Sequence, residues 1–167
     1  MDLGARLHGE LLRRGLTVAT AESLTGGAVA DLVSGTPGAS ATYVGGVVSY
    51  ATAVKQRLLG VTPATVDRHG VVSARCAAEM ATGVRALLGA DFAVSTTGVA
   101  GPDAQEGKPV GLVYVGVAGP AGVETYELHL TGDRAAIRAE ATRRAVAALL
   151  KTVVRGTAEA GPGGSAD

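Results

Sequence analysis

Aromatic residues are scarce in this chain of 167 residues, which contains one Phe, four Tyr and no Trp. Acidic and basic side chains balance at fifteen each, so the formal net charge at pH 7 is zero. Proteins that hold nucleic acid by neutralising its phosphates need an excess of positive charge, and single-strand binders stack bases on aromatic rings. The composition therefore argues against a nucleic-acid partner.

Cysteine is represented by Cys76 alone. A single cysteine forms no intramolecular disulfide and no multi-cysteine metal site, and this sparing use fits a reducing cytoplasm. The N-terminus carries charges from Asp2 onward in place of the apolar region of a signal peptide. The most apolar stretch, 111–123, is shorter than the roughly 20 residues that span a bilayer. We therefore expect a cytoplasmic protein with no membrane partner.

Helical and strand patterns alternate along the chain, and 47% of its residues are hydrophobic, which suits one folded domain. Strands are predicted over 17–21, 43–50, 92–97, 110–118 and 123–130, and helices over 3–14, 27–34, 52–59, 63–69, 74–88 and 133–154. The last two strands form a predicted hairpin. We therefore predict an α/β fold over 1–155, a single-domain helix/sheet/helix sandwich with a mixed sheet of about five strands. The glycine-rich residues 156–167 are predicted to be a disordered tail.

Several familiar catalytic signatures are missing from the sequence. It has no G-x-G-x-x-G after a strand, no phosphate-binding P-loop and no G-x-S-x-G elbow. His8, His69 and His129 lack the spacing of metal ligands, so we expect no metal site. Chemistry must be sought in segments that these motifs do not describe.

The strongest local feature is the segment A-E-S-L-T-G-G, from Ala21 to Gly27. Ser23 follows a predicted strand and precedes a helix, where free N–H groups favour an anion such as a phosphate or an oxyanion. Gly26 and Gly27 allow the backbone to approach a ligand closely. Two interpretations stay open: Ser23 is a nucleophile with a base nearby, or Ser23 or Thr25 caps the helix.

A second segment, Gly45 to Tyr50, ends a predicted strand and is followed by Lys55 on the next helix. A lysine that is partly removed from water has a lowered pKa and acts as a general base toward a serine. The alternatives are that Lys55 is an ordinary solvated lysine and that Tyr50 lies at the edge of the core with its hydroxyl in water.

Two further segments are candidates for ligand binding. Thr97, Gly98 and Gly101 follow a third strand, and ligands of open α/β sheets collect at the carboxyl ends of strands. Arg134 and Arg138 are four residues apart on one face of the last helix and are suited to grip a phosphate. For the segment after the third strand, the alternative is a simple glycine-rich turn. For the two arginines, it is a solvated basic face of the helix.

In this order, these segments resemble the CinA C-terminal domain family, the nicotinamide mononucleotide deamidases, over about residues 3 to 153. Further matching segments are Leu59-Gly60-Val61, His69 to Ser73, Lys108 to Gly111 and Gly132-Asp133. The resemblance implies an amidohydrolase that converts nicotinamide mononucleotide and water to nicotinate mononucleotide and ammonia in pyridine nucleotide recycling. It implies no metal or organic cofactor.

By the same resemblance, Ser23 is the nucleophile, and Lys55 and Tyr50 activate its hydroxyl. Backbone N–H groups of Thr25, Gly26 and Gly27, or of Gly98, are our candidates for the oxyanion site. Arg134 and Arg138 are our candidates for the 5′-phosphate. The remaining predicted substrate-binding residues are Gly46, Thr97 and Gly101.

Two departures from the family pattern concern the site. Leu24 stands where relatives often carry Cys, and 51–54 lacks the Ser-Asn-Glu that the family commonly shows, which affects substrate contacts or the way Lys55 is held. The alternative function is a catalytically weak nucleotide-binding domain, or a regulatory domain associated with competence and DNA damage. The alanine- and glycine-rich helices allow close packing between copies, so we expect a homo-oligomer such as a dimer.

Overall fold

One mixed five-stranded sheet organises the fold, with strand order β2-β1-β3-β4-β5. The computed structural model describes residues 2–156. Its strands are β1 (Val18–Glu22), β2 (Tyr43–Val48), β3 (Phe92–Gly98), β4 (Leu112–Gly119) and β5 (Gly122–His129). Its helices are α1 (Leu3–Arg14), α2 (Ala28–Ser34), α3 (Thr52–Leu59), α4 (Pro63–His69), α5 (Ala74–Leu88) and α6 (Arg134–Arg155), with a short 3₁₀ helix at Ala39–Ala41.

The three strands nearest the N-terminus run parallel, and the last two add antiparallel pairs. β1 pairs in parallel with β2 on one side and β3 on the other, so that Glu22 lies opposite both Val48 and Thr96. β4 pairs antiparallel with β3 and with β5. The carboxyl ends of β1, β2 and β3 therefore meet at one edge of the sheet, where the connecting turns come together.

Helices cover both faces of the sheet. On one face, α1, α2 and α6 pack on valines of the strands, in a core that includes Leu7, Val29, Val94 and Leu149. On the other face, helix α5 packs Met80 and its neighbours on small strand residues such as Ala19, Ala21 and Ala93. The helix/sheet/helix sandwich with a mixed sheet of five strands confirms the predicted fold.

Polar caps and glycines fix most helix ends where the sequence predicted them. Thr62, Ser73 and Asp133 accept backbone N–H groups at the starts of α4, α5 and α6. Helices α3, α4 and α5 agree with their predicted bounds. Asp2 occupies the cap position of α1 without a side-chain capping bond. The 3₁₀ helix carried no recognisable signal and was not predicted.

The bounds of the strands differ from the prediction by no more than two residues. β2 ends at Val48 instead of residue 50, which leaves Ser49 and Tyr50 in the turn before α3. The predicted tail, 156–167, lies outside the described residues apart from Gly156, which follows the last residue of α6. Within residues 2–156, no helix combines the length and apolar character that crossing a lipid bilayer requires.

Candidate active site

Ser23 is the first residue after β1, at the sheet edge where the parallel strands end. Its backbone N–H donates to the Thr96 carbonyl of β3 at 3.0 Å. Ser23 lines a cleft of about 140 Å³ together with residues of the β2–α3 turn and of the loop after β3. Topology therefore brings three of the predicted segments to one cavity.

Lys55 directs its ammonium group at Ser23 from helix α3. Lys55 Nζ lies 2.9 Å from Ser23 Oγ, 2.6 Å from the Ser49 carbonyl oxygen and 3.2 Å from that of Tyr50. The side chain is 1% exposed. A solvated surface lysine is therefore the wrong interpretation, and the buried pair of an amine and a hydroxyl is the arrangement used in nucleophilic catalysis.

Burial controls the charge of this lysine. Desolvation lowers the pKa of Lys55 below its ordinary value. Burial also raises the pKa of the Cys76 thiol to about 11, so this thiol is uncharged near neutral pH and supplies no counter-charge to Lys55. When Lys55 is neutral, the two carbonyls accept its two N–H groups, and its lone pair faces the Ser23 hydroxyl. The geometry thus favours proton transfer from Ser23 to Lys55.

Tyr50 contributes to the site in two different ways. Its carbonyl oxygen holds Lys55, as described above. Its hydroxyl accepts a hydrogen bond from Arg134 Nη2 at 2.9 Å, and the side chain is 59% exposed. In the described part of the chain the hydroxyl contacts neither Ser23 nor Lys55 through a hydrogen bond. Tyr50 therefore lies at the mouth of the cleft, beside Arg134.

The turn from Ser23 to Gly27 is called the serine turn below. A carboxylate of the protein itself already accepts hydrogen bonds from this turn and from the start of α2. The Glu22 carboxylate, 1% exposed, accepts hydrogen bonds from the N–H groups of Gly27, Val29 and Ala30 and from Thr25 Oγ1. The Gly26 N–H donates to the Ser23 carbonyl at 3.1 Å. The predicted anion site at the start of α2 is therefore occupied by Glu22. Of the three predicted oxyanion donors in this turn, the Thr25 N–H remains without an acceptor in the described residues.

The two predicted phosphate ligands have different surroundings. Arg134 lines the cleft mouth and donates to the Gly101 carbonyl oxygen at 2.7 Å as well as to Tyr50. Arg138 lies deeper and donates to the carbonyl oxygens of Leu24 at 2.9 Å and Thr25 at 3.1 Å. Arg134 is thus accessible to a ligand, whereas Arg138 supports the serine turn.

Residues 2–153 match the model of the CinA C-terminal domain. The chain belongs to the CinA C-terminal domain family. This confirms the resemblance that the ordered motifs indicated.

Similar proteins and structures agree with this assignment. A CinA-like protein from Frankia casuarinae is 47% identical over 92% of this chain and 37% of its own length. A putative competence-damage inducible protein from Bacillus subtilis is 44% identical over 83% of this chain and 33% of its own. The chain therefore spans about a third of the length of these curated relatives. A crystal structure of a CinA superfamily protein from Klebsiella pneumoniae is 37% identical, with a TM-score of 0.89, and covers 92% of this chain and 97% of that one.

The remaining predicted residues of this CinA domain divide into cleft-lining and structural positions. Thr97, Gly98 and Gly101 line the cleft, and Thr97 Oγ1 also donates to the Val71 carbonyl at 2.7 Å. Gly46 does not line the cleft. A Cβ at this position would come within 2.1 Å of Thr20 Oγ1 on the neighbouring strand β1. We therefore correct the predicted role of Gly46: it lets β1 and β2 pack closely.

Sequence reasoning also missed several residues of the CinA domain's cleft. Thr52, Val71, Val72, Asp103 and Gln105 line it without having been predicted. Thr52 lies in the stretch that departs from the family pattern, so that departure does reach the cleft. Leu24, the other departure, is buried and also lines the cleft, and it packs on Ala100 and neighbouring apolar residues. Asp103 adds a carboxylate to a cleft that also contains Arg134.

Metal-ligating side chains do not cluster in the described part of this CinA domain. Within residues 2–156, no three His, Cys, Asp or Glu side chains group in a way that could hold a metal ion.

Proposed function

We propose that this CinA domain is an amidohydrolase with a serine nucleophile and a lysine base, and that its substrate is nicotinamide mononucleotide. The products are nicotinate mononucleotide and ammonia, which places the reaction in pyridine nucleotide recycling. The observation that carries the proposal is the 2.9 Å contact between Ser23 Oγ and Nζ of Lys55, a residue that is 1% exposed, at the wall of a cleft.

In the first half of the proposed reaction, Ser23 Oγ attacks the carbon of the substrate carboxamide while Lys55 takes the hydroxyl proton. The new oxyanion is stabilised by backbone N–H groups that face the cleft beside Ser23. Lys55 then passes its proton to the departing nitrogen. The C–N bond breaks, ammonia leaves, and an ester joins the acyl group to Ser23.

In the second half, water attacks the ester carbon and Lys55 again serves as the base. The proton returns to Ser23 Oγ as the C–O bond of the ester breaks, which releases the carboxylate product. Lys55 must be neutral to begin each half. The lowered pKa that burial gives Lys55 makes its neutral form easier to reach than that of a solvated lysine.

Charge complementarity supports a mononucleotide with a pyridinium ring as the substrate. Nicotinamide mononucleotide carries a positive ring and a negative phosphate, and the cleft lining contains the carboxylate of Asp103 and the guanidinium of Arg134. The chain has few aromatic rings for stacking. Local charge therefore has to contribute to recognition.

A regulatory, nucleotide-binding role remains the second candidate. The observation that favours it is the name of relatives such as the putative competence-damage inducible protein of Bacillus subtilis. A protein of that kind binds the nucleotide without releasing ammonia, and replacement of Ser23 leaves its binding unchanged.

The test of the proposed function is ammonia release from nicotinamide mononucleotide, nicotinamide riboside and NAD by the purified full chain. We expect the mononucleotide to be the preferred substrate. Ser23→Ala and Lys55→Ala are expected to abolish turnover, whereas Ser34→Ala and Lys151→Ala, which alter exposed side chains, serve as matched controls. Tight binding of the mononucleotide without ammonia release would favour the regulatory role.

A further inference from the structure

We propose that Glu22 and Arg138 are positioning residues that hold Ser23 in line with Lys55, and that Arg138 does not bind the substrate phosphate. The inference rests on the proposed function and deepens it. It concerns two charged side chains, one on each side of the serine turn, neither of which lines the cleft.

Glu22 fixes the N–H side of the serine turn. Its Oε1 accepts from Thr25 Oγ1 at 2.6 Å and from the N–H groups of Gly27 at 3.2 Å and Val29 at 2.8 Å. Its Oε2 accepts from the Ala30 N–H at 3.0 Å. A buried carboxylate with four donors tolerates little displacement, because each lost bond leaves a buried polar group without a partner.

Arg138 fixes the carbonyl side of the same turn. It reaches from α6 and donates through Nε to the Leu24 oxygen and through Nη2 to the Thr25 oxygen. A Cβ at Gly26 would lie 3.1 Å from Arg138 Nη2, so glycine leaves room for this approach. The two residues that follow Ser23 are therefore anchored by a cation.

The backbone of Glu22 also connects the serine turn to the turn that holds the base. The Glu22 carbonyl oxygen accepts from the Ser49 N–H at 2.8 Å and from Ser49 Oγ at 3.3 Å. The Ser49 carbonyl in turn accepts from Lys55 Nζ. Since the hydroxyl and the amine are held by one connected set of hydrogen bonds, loss of an anchor should misalign them, and small misalignments cost large factors in rate.

The contrast with Arg134 explains why Arg138 is assigned to positioning. Arg134 lines the cleft mouth and is exposed, as a ligand for a phosphate must be. Arg138 lies outside the cleft lining and directs two of its donors at backbone carbonyls. The two arginines are one helical turn apart and make a matched pair for mutation.

The experiment compares Arg138→Gln with Arg134→Gln, on nicotinamide mononucleotide and on nicotinamide riboside, which lacks the phosphate. We expect Arg138→Gln to lower kcat by at least about tenfold on both substrates with little change in KM. Arg138→Lys should recover part of the rate, because an ammonium still reaches a carbonyl oxygen. Arg134→Gln should raise KM for the mononucleotide alone. If Arg138→Gln impairs only the mononucleotide, through KM, the inference is wrong.

A second readout separates this inference from the proposed function. The rate at which a fluorophosphonate labels Ser23, followed by intact mass, reports the reactivity of the hydroxyl without any nucleotide. We expect labelling of folded Arg138→Gln and Glu22→Gln, checked by circular dichroism, to be at least about tenfold slower than wild type. If wild type labels but releases no ammonia from the mononucleotide, the proposed substrate fails while the positioning role still stands.

Two labelling results would overturn the inference. One is a folded Arg138→Gln variant that labels at the wild-type rate, even if its melting temperature is lower, because that shows a purely structural role. The other is a wild type whose Ser23 does not label, because no reactive hydroxyl is then being positioned.

Discussion

Replacing the buried lysine by an apolar residue of similar length should change how stability depends on pH. In the unfolded chain Lys55 titrates near its ordinary value of 10.5, and burial lowers its pKa in the folded protein. Between the lowered pKa and 10.5 the unfolded state binds a proton that the folded state does not. Folding stability therefore rises with pH through this window, and below the lowered pKa the penalty of burying the ammonium is fully present.

Lys55→Met removes this dependence. Linkage limits the slope that one proton contributes to about 1.4 kcal/mol per pH unit. The free energy of unfolding of wild type, minus that of Lys55→Met, should therefore rise toward pH 10.5 with a slope approaching but not exceeding that value. The Cys76 thiol, whose pKa burial raises from 9.0 to about 11, makes stability fall as the pH rises through that window, but both proteins contain it and its contribution cancels in the difference.

Urea unfolding of wild type and Lys55→Met at several pH values between 7 and 10 measures the difference between their free energies of unfolding. Circular dichroism is the suitable signal because the chain contains no Trp. Lys151→Met, at an exposed position, is the control and should run parallel to wild type. A difference between wild type and Lys55→Met that does not change with pH would refute the lowered pKa, and with it the argument that Lys55 is available as a base.

Three further substitutions test separate parts of the site. Glu22→Gln introduces an amide N–H donor where four groups now donate to the Glu22 carboxylate. This should destabilise the domain by about 2–4 kcal/mol, or lower its melting temperature by roughly 5–15 °C. An unchanged melting temperature would contradict this. Gly46→Ala should lower the free energy of unfolding by about 1–3 kcal/mol, because the added methyl group overpacks against Thr20, and should leave kcat of the folded protein unchanged. A large loss in kcat would show that Gly46 does act in the site. Tyr50→Phe removes an exposed hydrogen bond to Arg134 and should lower kcat/KM by no more than about tenfold; a loss as large as that of Ser23→Ala would make the hydroxyl part of the proton transfer.

Residues that cap or end helices made much of the fold predictable. Thr62-Pro63 and Gly70 enclose α4, and Ser73 and Gly89 enclose α5, because caps and stops depend on residues that are adjacent in sequence. β2 ended early because of a side chain on the helix that follows it, which the alternation of the strand does not show. The Ser49 and Tyr50 carbonyls turn toward Lys55 instead of continuing a ladder.

The meeting of Ser23 and Lys55 was also foreseeable, since each follows one of two strands that the predicted α/β fold can place side by side. The roles of the arginines were not. Whether Arg134 or Arg138 reaches the cleft depends on the position of α6 over the serine turn, which hydrophobic periodicity does not specify. Glu22 was missed because its side chain contacts backbone N–H groups and a threonine hydroxyl, and no motif of side chains records such contacts.

The most direct measurement of the central claim is trapping of the acyl-enzyme during turnover of nicotinamide mononucleotide. Hydroxylamine competes with water for an ester on Ser23, so wild type should form the hydroxamate at the expense of nicotinate mononucleotide while ammonia release is not slowed. Ser23→Ala should form neither product. Sustained ammonia release without hydroxamate at saturating hydroxylamine, or turnover by Ser23→Ala at the wild-type rate, would contradict a serine nucleophile activated by Lys55.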